Sequence, residues 1–326
     1  EVEYRFAENG LQNIQVDGAA NNDRLTLVGS RAADKVELMP SRSSLVNNNL
    51  HVSILGVEEV SFEGGGGADR VYLYDADTND TLTARPRNAV LQGVGYRFEV
   101  DNVDRIFVHA TGHGEDIAYL HDSAGDDTLS VRPQFMSMSG DNYFNYVRGF
   151  ERVYAYASAG GWDVANLYDS SGNDRFMTNG IAASIVGSGF ASYTRGFDSV
   201  TAYATAGGED TAAMYAGDDQ ASWHVGLDQV TLQDQGWRRE ARGFENYEAY
   251  VAGTPRGLSP ASLAVSEAGL HVGDWREEES DESWSDWLAA VPGDLGPSDV
   301  GLDEYVQSPE LEFDVLDRLF GESRLS

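Results

Sequence analysis

Aspartate is the residue type in this sequence whose spacing most clearly suggests chemistry. Aspartates recur at a step of 47 residues, as in Asp69 and Asp116, with further acidic side chains beside them at the same step. Oxygen-rich turns of this kind bind calcium, because the ion takes six to eight hard oxygen ligands at irregular geometry. The candidate calcium ligands are Asp69, Asp75, Asp80, Asp116, Asp122, Asp127, Asp163, Asp169, Asp174, Asp210 and Asp219.

The same aspartates have a second interpretation that needs no metal. Asp and Asn side chains hydrogen-bond their own backbone in tight turns. Stacked coils would place equivalent carboxylates about 4.8 Å apart, where two like charges repel by roughly 1 kcal/mol even in bulk water. A ladder of aspartates therefore requires a cation, an arginine or wider spacing. Calcium sites and plain turn residues both remain open at this point.

The elements that must position these residues form a tandem repeat. In the unit 149–195, the alternation of residues 164–168 and 175–178 predicts strands separated by glycine turns, and short extended pieces lie near 184–186 and 192–194. No stretch of the unit keeps a helical period for more than a turn. We predict an all-β protein, a parallel β-solenoid built from 46–47-residue repeats. A five-bladed β-propeller is the alternative, because one blade has a similar length.

The repeat also predicts the domain organisation. A cap over residues 1–22 precedes a repeat domain over 23–253, and a linker with an acidic tail follows over 254–326. The predicted repeats cover about 23–68, 69–115, 116–162, 163–209 and 210–253.

The acidic tail differs in composition from the repeats. Residues 274–326 hold 16 acidic and 3 basic residues. One or two short helices are predicted there, and Ser308 followed by Pro309 starts a helix near 309–320. An amphipathic helix of this length needs a docking surface. Its apolar face, predicted to serve assembly, consists of Leu311, Val315, Leu316, Leu319 and Phe320.

Composition excludes several classes of function. The 326 residues include 54 acidic and 22 basic residues, for a net charge of −32. Nucleic acid and anionic membrane surfaces bind basic patches, so we exclude both as partners. The absence of cysteine excludes a thiol nucleophile and cysteine-ligated zinc. No run of 18 apolar residues occurs, so we expect no membrane span.

The sequence predicts a protein that is not an enzyme. It contains neither the GxSxG elbow of hydrolases nor a P-loop, and its six histidines form no HExxH motif. Paired carboxylates are abundant, but the repetition produces them, so they do not indicate a glycosidase. The repeats keep their register without a long insertion, which favours a scaffold.

Two segments carry a resemblance to known proteins. Residues 56–75 read GVEEVSFEGGGGADRVYLYD, and residues 160–176 read GGWDVANLYDSSGNDRF. They resemble the glycine–aspartate repeats of bacterial secreted and surface proteins, and they are loosely similar to the calcium-binding RTX repeats. The resemblance covers about residues 10–253, although GG-x-D occurs here once per unit and not in tandem nines. It implies a secreted, repetitive β protein.

These observations together predict a non-catalytic structural or adhesive protein outside the cell or on its surface. The chain begins at Glu1, which we interpret as the mature product of export. We expect self-association into fibres or a surface layer, because unpaired solenoid ends template further strands. Another surface protein or a carbohydrate is the alternative partner. The alternative function is a polysaccharide-binding or polysaccharide-cleaving β-helix protein.

Overall fold

Strands and turns make up the described part of this chain, without a helix. The computed structural model describes residues 12–19, 21–47, 50–216, 221–251 and 270–272. The first strands are Asn13–Asp17 (β1), Arg24–Val28 (β2), Lys35–Leu38 (β3), Arg42–Asn47 (β4), Leu50–Leu55 (β5), Glu59–Glu63 (β6), Arg70–Tyr74 (β7), Thr81–Arg85 (β8), Asn88–Gly93 (β9), Tyr96–Asp101 (β10), Arg105–His109 (β11), Ile117–His121 (β12) and Thr128–Arg132 (β13). The remaining strands are Phe135–Gly140 (β14), Tyr143–Arg148 (β15), Arg152–Tyr156 (β16), Val164–Tyr168 (β17), Arg175–Thr178 (β18), Ala182–Gly187 (β19), Phe190–Arg195 (β20), Ser199–Tyr203 (β21), Thr211–Ala216 (β22), Ser222–Val225 (β23), Gln229–Asp234 (β24), Trp237–Arg242 (β25), Asn246–Val251 (β26) and Leu270–Val272 (β27).

The strands pair into two continuous sheets. Sheet A has 14 strands in the order β1-β5-β4-β3-β7-β11-β15-β14-β13-β17-β21-β25-β24-β23. Sheet B has 13 strands in the order β2-β6-β10-β9-β8-β12-β16-β20-β19-β18-β22-β26-β27. Neighbouring coils pair in parallel, as β7 with β11 and β12 with β16. The fold is therefore a parallel β-solenoid of about six turns, as predicted. The propeller alternative is wrong, because each sheet runs across successive repeats.

An antiparallel meander lies within every repeat. Five strands recur at the 47-residue step, and the middle three pair as a meander. Strands β8 to β10 form one meander in sheet B, and β13 to β15 form the next in sheet A. The first and last strands of a repeat lie in one sheet, and its meander lies in the other. The chain changes sheet again after the last strand, so each successive repeat begins in the opposite sheet. Equivalent turns therefore lie at opposite edges of the solenoid in successive repeats.

The core consists of the side chains that point from each sheet towards the other. In β7, Val71 and Leu73 are fully buried, whereas Tyr72 between them is half-buried on the outward face. This alternation is the consequence of the two-residue period of a strand with one buried face. The strands predicted at 164–168 and 175–178 are confirmed as β17 and β18.

Aromatic side chains on the outward faces stack on their counterparts in the next coil. The ring centroids of Tyr168 and Tyr203 lie 4.9 Å apart at 13°, and His121 stacks on Tyr156 at 5.3 Å. The guanidinium of Arg132 lies 3.9 Å from the ring centroid of Tyr168. These contacts are cross-strand pairs that stabilise the sheet. The ring faces are occupied by one another.

Several predicted features lie outside the described residues. They are Asp219, the acidic tail with its helix near 309–320, and the assembly residues Leu311, Val315, Leu316, Leu319 and Phe320. In the ranges that are described, no helix has the length and apolar character needed to cross a membrane.

Candidate metal centres

A group of three buried aspartates lies where the chain crosses from sheet A to sheet B. Asp75 and Asp80 flank the turn from β7 to β8, and Asp116 precedes β12 in the adjacent coil. One carboxylate oxygen of each residue lies within 4.8 Å of the other two. All three side chains are buried, with at most 7% exposed. We call this set triad 1.

The same arrangement recurs 47 residues later as triad 2, which consists of Asp122, Asp127 and Asp163. Asp122 and Asp127 flank the turn from β12 to β13, and Asp163 precedes β17. This turn leads from sheet B to sheet A, so it lies at the opposite edge of the solenoid. The two triads contain six of the eleven predicted ligands.

Donors from both coils hold the carboxylates of triad 1. Asp75 accepts a hydrogen bond from the amide of Thr111 at 2.8 Å. The hydroxyl of Tyr96 donates to Asp80 at 2.9 Å, and the amide of Asp80 donates to Asp116 at 2.8 Å. The ligand positions are therefore fixed by backbone and side-chain donors before any ion binds.

Triad 2 repeats these contacts. The hydroxyl of Tyr143 donates to Asp127 at 2.6 Å, and the amide of Asp127 donates to Asp163 at 2.9 Å. Asp122 accepts a hydrogen bond from the amide of Ala159 at 2.8 Å. The two triads therefore share one design, in which the third carboxylate always comes from the adjacent coil.

Burial raises the pKa of these carboxyl groups. The pKa of Asp116 and of Asp163 rises to about 6, first through burial and then through the neighbouring carboxylates. Burial also raises the pKa of Asp80 and Asp122. Three carboxylates this close do not all ionise without compensation, and a hard cation with oxygen ligands supplies that compensation. The triads can therefore bind a cation or share a proton.

Without a bound cation, the free energy of unfolding should fall as the pH rises towards neutrality. The pKa of Asp116, Asp163 and Asp210 is about 6 in the folded protein, against about 3.9 in an unfolded chain. The folded state thus holds more protons between these values, and stability is lost as the pH rises through about 6. His121 opposes this trend, because burial lowers its pKa to about 4.

The difference between two proteins isolates the carboxyl contribution to this pH dependence. Urea unfolding of the wild type and of an Asp116→Asn/Asp163→Asn variant is measured with chelator at about pH 5 and about pH 7.5. The wild type should lose more stability than the variant between the two values. Equal losses would contradict the prediction.

The third copy of the arrangement is not a triad. Asp169, Asp174 and Asp210 occupy the equivalent positions, but among the described residues only triads 1 and 2 meet as groups. Phe190 stands 47 residues after Tyr143 and has no hydroxyl to donate. Oδ1 of Asp174 is consequently buried without a hydrogen-bond partner in the described part of the chain.

Phe190→Tyr is therefore expected to stabilise the protein by about 1 kcal/mol, because the new hydroxyl can satisfy Asp174. The melting temperature should rise by roughly 2–4 °C, as measured by thermal unfolding. Tyr143→Phe is the matched control, since it removes the hydrogen bond to Asp127 and should lower the melting temperature. A Phe190→Tyr variant with a lower melting temperature than the wild type would contradict the view that Asp174 lacks a hydroxyl donor.

The first copy lacks one carboxylate. Gly29 stands where the next repeat has Asp75, which leaves Asp34 and Asp69. The amide of Asp34 donates to Asp69 at 2.9 Å, and Oδ2 of Asp69 is buried without a partner among the described residues. The predicted ligand Asp69 is thus placed in a turn with one other carboxylate and not in a triad.

A second column of acidic residues extends these contacts, and the candidate ligands predicted from sequence did not include it. The amide of Asp116 donates to Glu151 at 2.8 Å, and that of Asp163 donates to Asp198 at 2.7 Å. A 47-residue recurrence marks the column in the sequence, because its members directly follow Val103, Phe150, Phe197 and Phe244. Its members are Asp104, Glu151, Asp198 and Glu245.

No protein-family model matches this chain, and no curated protein matches it.

Proposed function

We propose that this protein is a non-catalytic extracellular structural or adhesive repeat protein whose solenoid is stabilised by calcium. The observation that supports the proposal is the recurrence of a buried aspartate triad across adjacent coils. In each triad two carboxylates come from one coil and one comes from the next. A bound ion would therefore tie successive coils together, and its role would be architectural.

Calcium fits the triads better than other metals do. Every candidate ligand is a hard carboxylate oxygen, and no histidine belongs to either group. Transition metals favour nitrogen and sulfur ligands. Magnesium requires near-ideal octahedral geometry and retains several waters, whereas calcium accepts irregular oxygen sites. Calcium sites of extracellular modules have dissociation constants of about 10⁻⁴–10⁻³ M, which is compatible with sites of three carboxylates.

Self-association is the second part of the proposal. Strands β1 and β23 are the terminal strands of sheet A in the described residues. A terminal strand presents unpaired amide and carbonyl groups that can pair with another chain. Head-to-tail contact between opposite ends of a solenoid produces an open filament. Fibres or a surface layer are the assemblies that this geometry favours.

Two measurements on the whole 326-residue chain test the two parts of the proposal separately. After equilibrium dialysis against about 10 mM calcium, metal analysis should find two more calcium ions per chain than in the Asp116→Asn/Asp163→Asn variant, one for each triad. A difference of fewer than one ion per chain would contradict the calcium sites. Electron microscopy at rising concentration should show filaments, and isolated particles throughout would contradict self-association.

A further inference from the structure

Four of the exposed arginines on the outward face of sheet A lie on the adjoining strands from β7 to β13 in the sheet order. Arg70 of β7 and Arg105 of β11 are directly opposite in the strand register. Arg132 of β13 and Arg148 of β15 lie in one row, on either side of Phe135 in β14. We call these four arginines the arginine face. All four are exposed.

The arginine face has no acidic partner in the protein. None of its four guanidinium groups forms an ion pair with the residues that the structure describes. On sheet B, in contrast, Arg24 pairs with Glu59 at 2.5 Å and Arg175 pairs with Glu248 at 2.8 Å. In a chain with 54 acidic and 22 basic residues, most exposed arginines are expected to have a carboxylate nearby, and these four do not pair with one. They are available to an external anion.

The local charge of this face is opposite to that of the whole chain. From β3 to β25, the outward acidic side chains of sheet A are Glu37 and Glu240. The outward basic side chains of the same strands are Lys35, Arg70, Arg105, Arg132, Arg148, Arg238 and Arg242. Asp69 directly precedes Arg70 and Asp104 directly precedes Arg105, so these two carboxylates lie within the Debye length of about 8 Å at physiological salt. The acidic residues farther along the turns are largely screened from a partner on this face.

Hydroxyl and amide groups occupy the neighbouring positions. Ser137, Ser130, Asn166 and Thr201 form one register row across β14, β13, β17 and β21. Such groups both donate and accept hydrogen bonds, as sugar hydroxyls do. A guanidinium binds a carboxylate or a sulfate with two parallel hydrogen bonds. The chemistry of the face is thus complementary to sugars that carry acidic groups.

We propose that the arginine face binds an extended anionic polysaccharide. The guanidinium groups would bind its carboxylates or sulfates, and the neighbouring hydroxyl row would bind its hydroxyl groups. Arg132 and Arg148 are two strands apart, which is about 10 Å, so the acidic groups of a disaccharide-repeat polymer reach both. This inference goes beyond the structural role proposed above and does not depend on the aspartate triads.

Isothermal titration of the whole 326-residue chain with alginate, a polyuronate, tests the proposal. A chelator is present, so that no calcium bridges protein and polymer. Affinity should fall at least tenfold in a four-glutamine variant of the arginine face, and neutral dextran should not bind. The variant carries Arg70→Gln, Arg105→Gln, Arg132→Gln and Arg148→Gln. The matched control removes four sheet B arginines, with Arg24→Gln, Arg97→Gln, Arg152→Gln and Arg175→Gln, and should keep the wild-type affinity within about twofold.

Three outcomes would overturn the proposal. The first is unchanged alginate affinity in the four-glutamine variant, and the second is an equal loss in the sheet B control. The third is tighter binding of DNA than of alginate at equal charge concentration, which would identify a general polyanion surface. Thermal unfolding establishes that each variant is folded. The double variant Arg132→Gln/Arg148→Gln should show a smaller loss in the same direction, and it replaces the four-glutamine variant if that protein does not fold.

Discussion

Calcium at about 10 mM is expected to stabilise this protein by about 5 kcal/mol over the metal-free form. An ion that binds only the folded state at 100 times its dissociation constant contributes about 2.7 kcal/mol, and there are two triads. The melting temperature should accordingly rise by roughly 10–20 °C. Thermal unfolding with calcium and with chelator measures the difference.

Variants at the third carboxylate of each triad test whether the triads are the sites through which calcium stabilises the protein. In Asp116→Asn/Asp163→Asn, the amide oxygens can still accept the hydrogen bonds from Asp80 and Asp127, but each group loses one charge. Metal-free, this variant should be at least as stable as the wild type, because repulsion is lower. It should gain little from calcium.

Asp210→Asn is the matched control for these variants, because Asp210 holds the equivalent position in the copy that does not form a triad. It should retain the full effect of calcium. Loss of the calcium effect in Asp210→Asn would show that the ion binds elsewhere. The same conclusion would follow if the double variant still gained the full stabilisation.

The regular part of this fold is predictable because the repeat presents the same local signals several times. Residues 164–168 alternate between core and surface positions and have glycine turns on both sides, so propensity and repeat agree. The alternation of meanders between the sheets follows from the odd number of strands. The strands can be counted from the sequence only if every strand boundary is recognised. Strands such as Ala182–Gly187 appear in the sequence only as short extended pieces near 184–186, so the alternation was not predicted.

The recurrence of the candidate ligands every 47 residues is predictable from the sequence. Which of them come together in space as triads is not. Tyr143 holds Asp127 across 16 residues and a different strand, whereas Phe190 cannot hold Asp174 in the same way. The 47-residue step shows the exchange of tyrosine for phenylalanine. Only the paired strands show that the hydroxyl meets a carboxylate, so the difference between triads and the incomplete copy is a tertiary property.

The burial of one arginine, Arg239, was also not predicted from the sequence. Replacing it should have the second large effect on the free energy of unfolding. Arg239→Met is expected to destabilise the protein by about 3–5 kcal/mol. Arg239 is 1% exposed, and its guanidinium donates to the carbonyl oxygens of Asn179 at 3.1 Å, Gly180 at 2.9 Å and Asp198 at 3.1 Å. Burial lowers its pKa to about 10, so it is charged at neutral pH. Methionine fills similar space and leaves these carbonyls without donors, each at a cost of about 1–3 kcal/mol.

Arg239 stands at a repeat position whose side chain donates a hydrogen bond to a turn carbonyl. Its loss should therefore lower the free energy of unfolding. Asn145 donates to the carbonyl of Arg85 at 2.9 Å, 60 residues earlier, as Arg239 donates to Asn179 across the same separation. An inward donor at this position therefore satisfies a turn carbonyl in both repeats. Arg105→Met is the control, since this exposed arginine has no ion pair among the described residues, and it should change the free energy by less than about 0.5 kcal/mol. Urea unfolding at neutral pH that gave equal stabilities for the two variants would show that water satisfies these carbonyls instead.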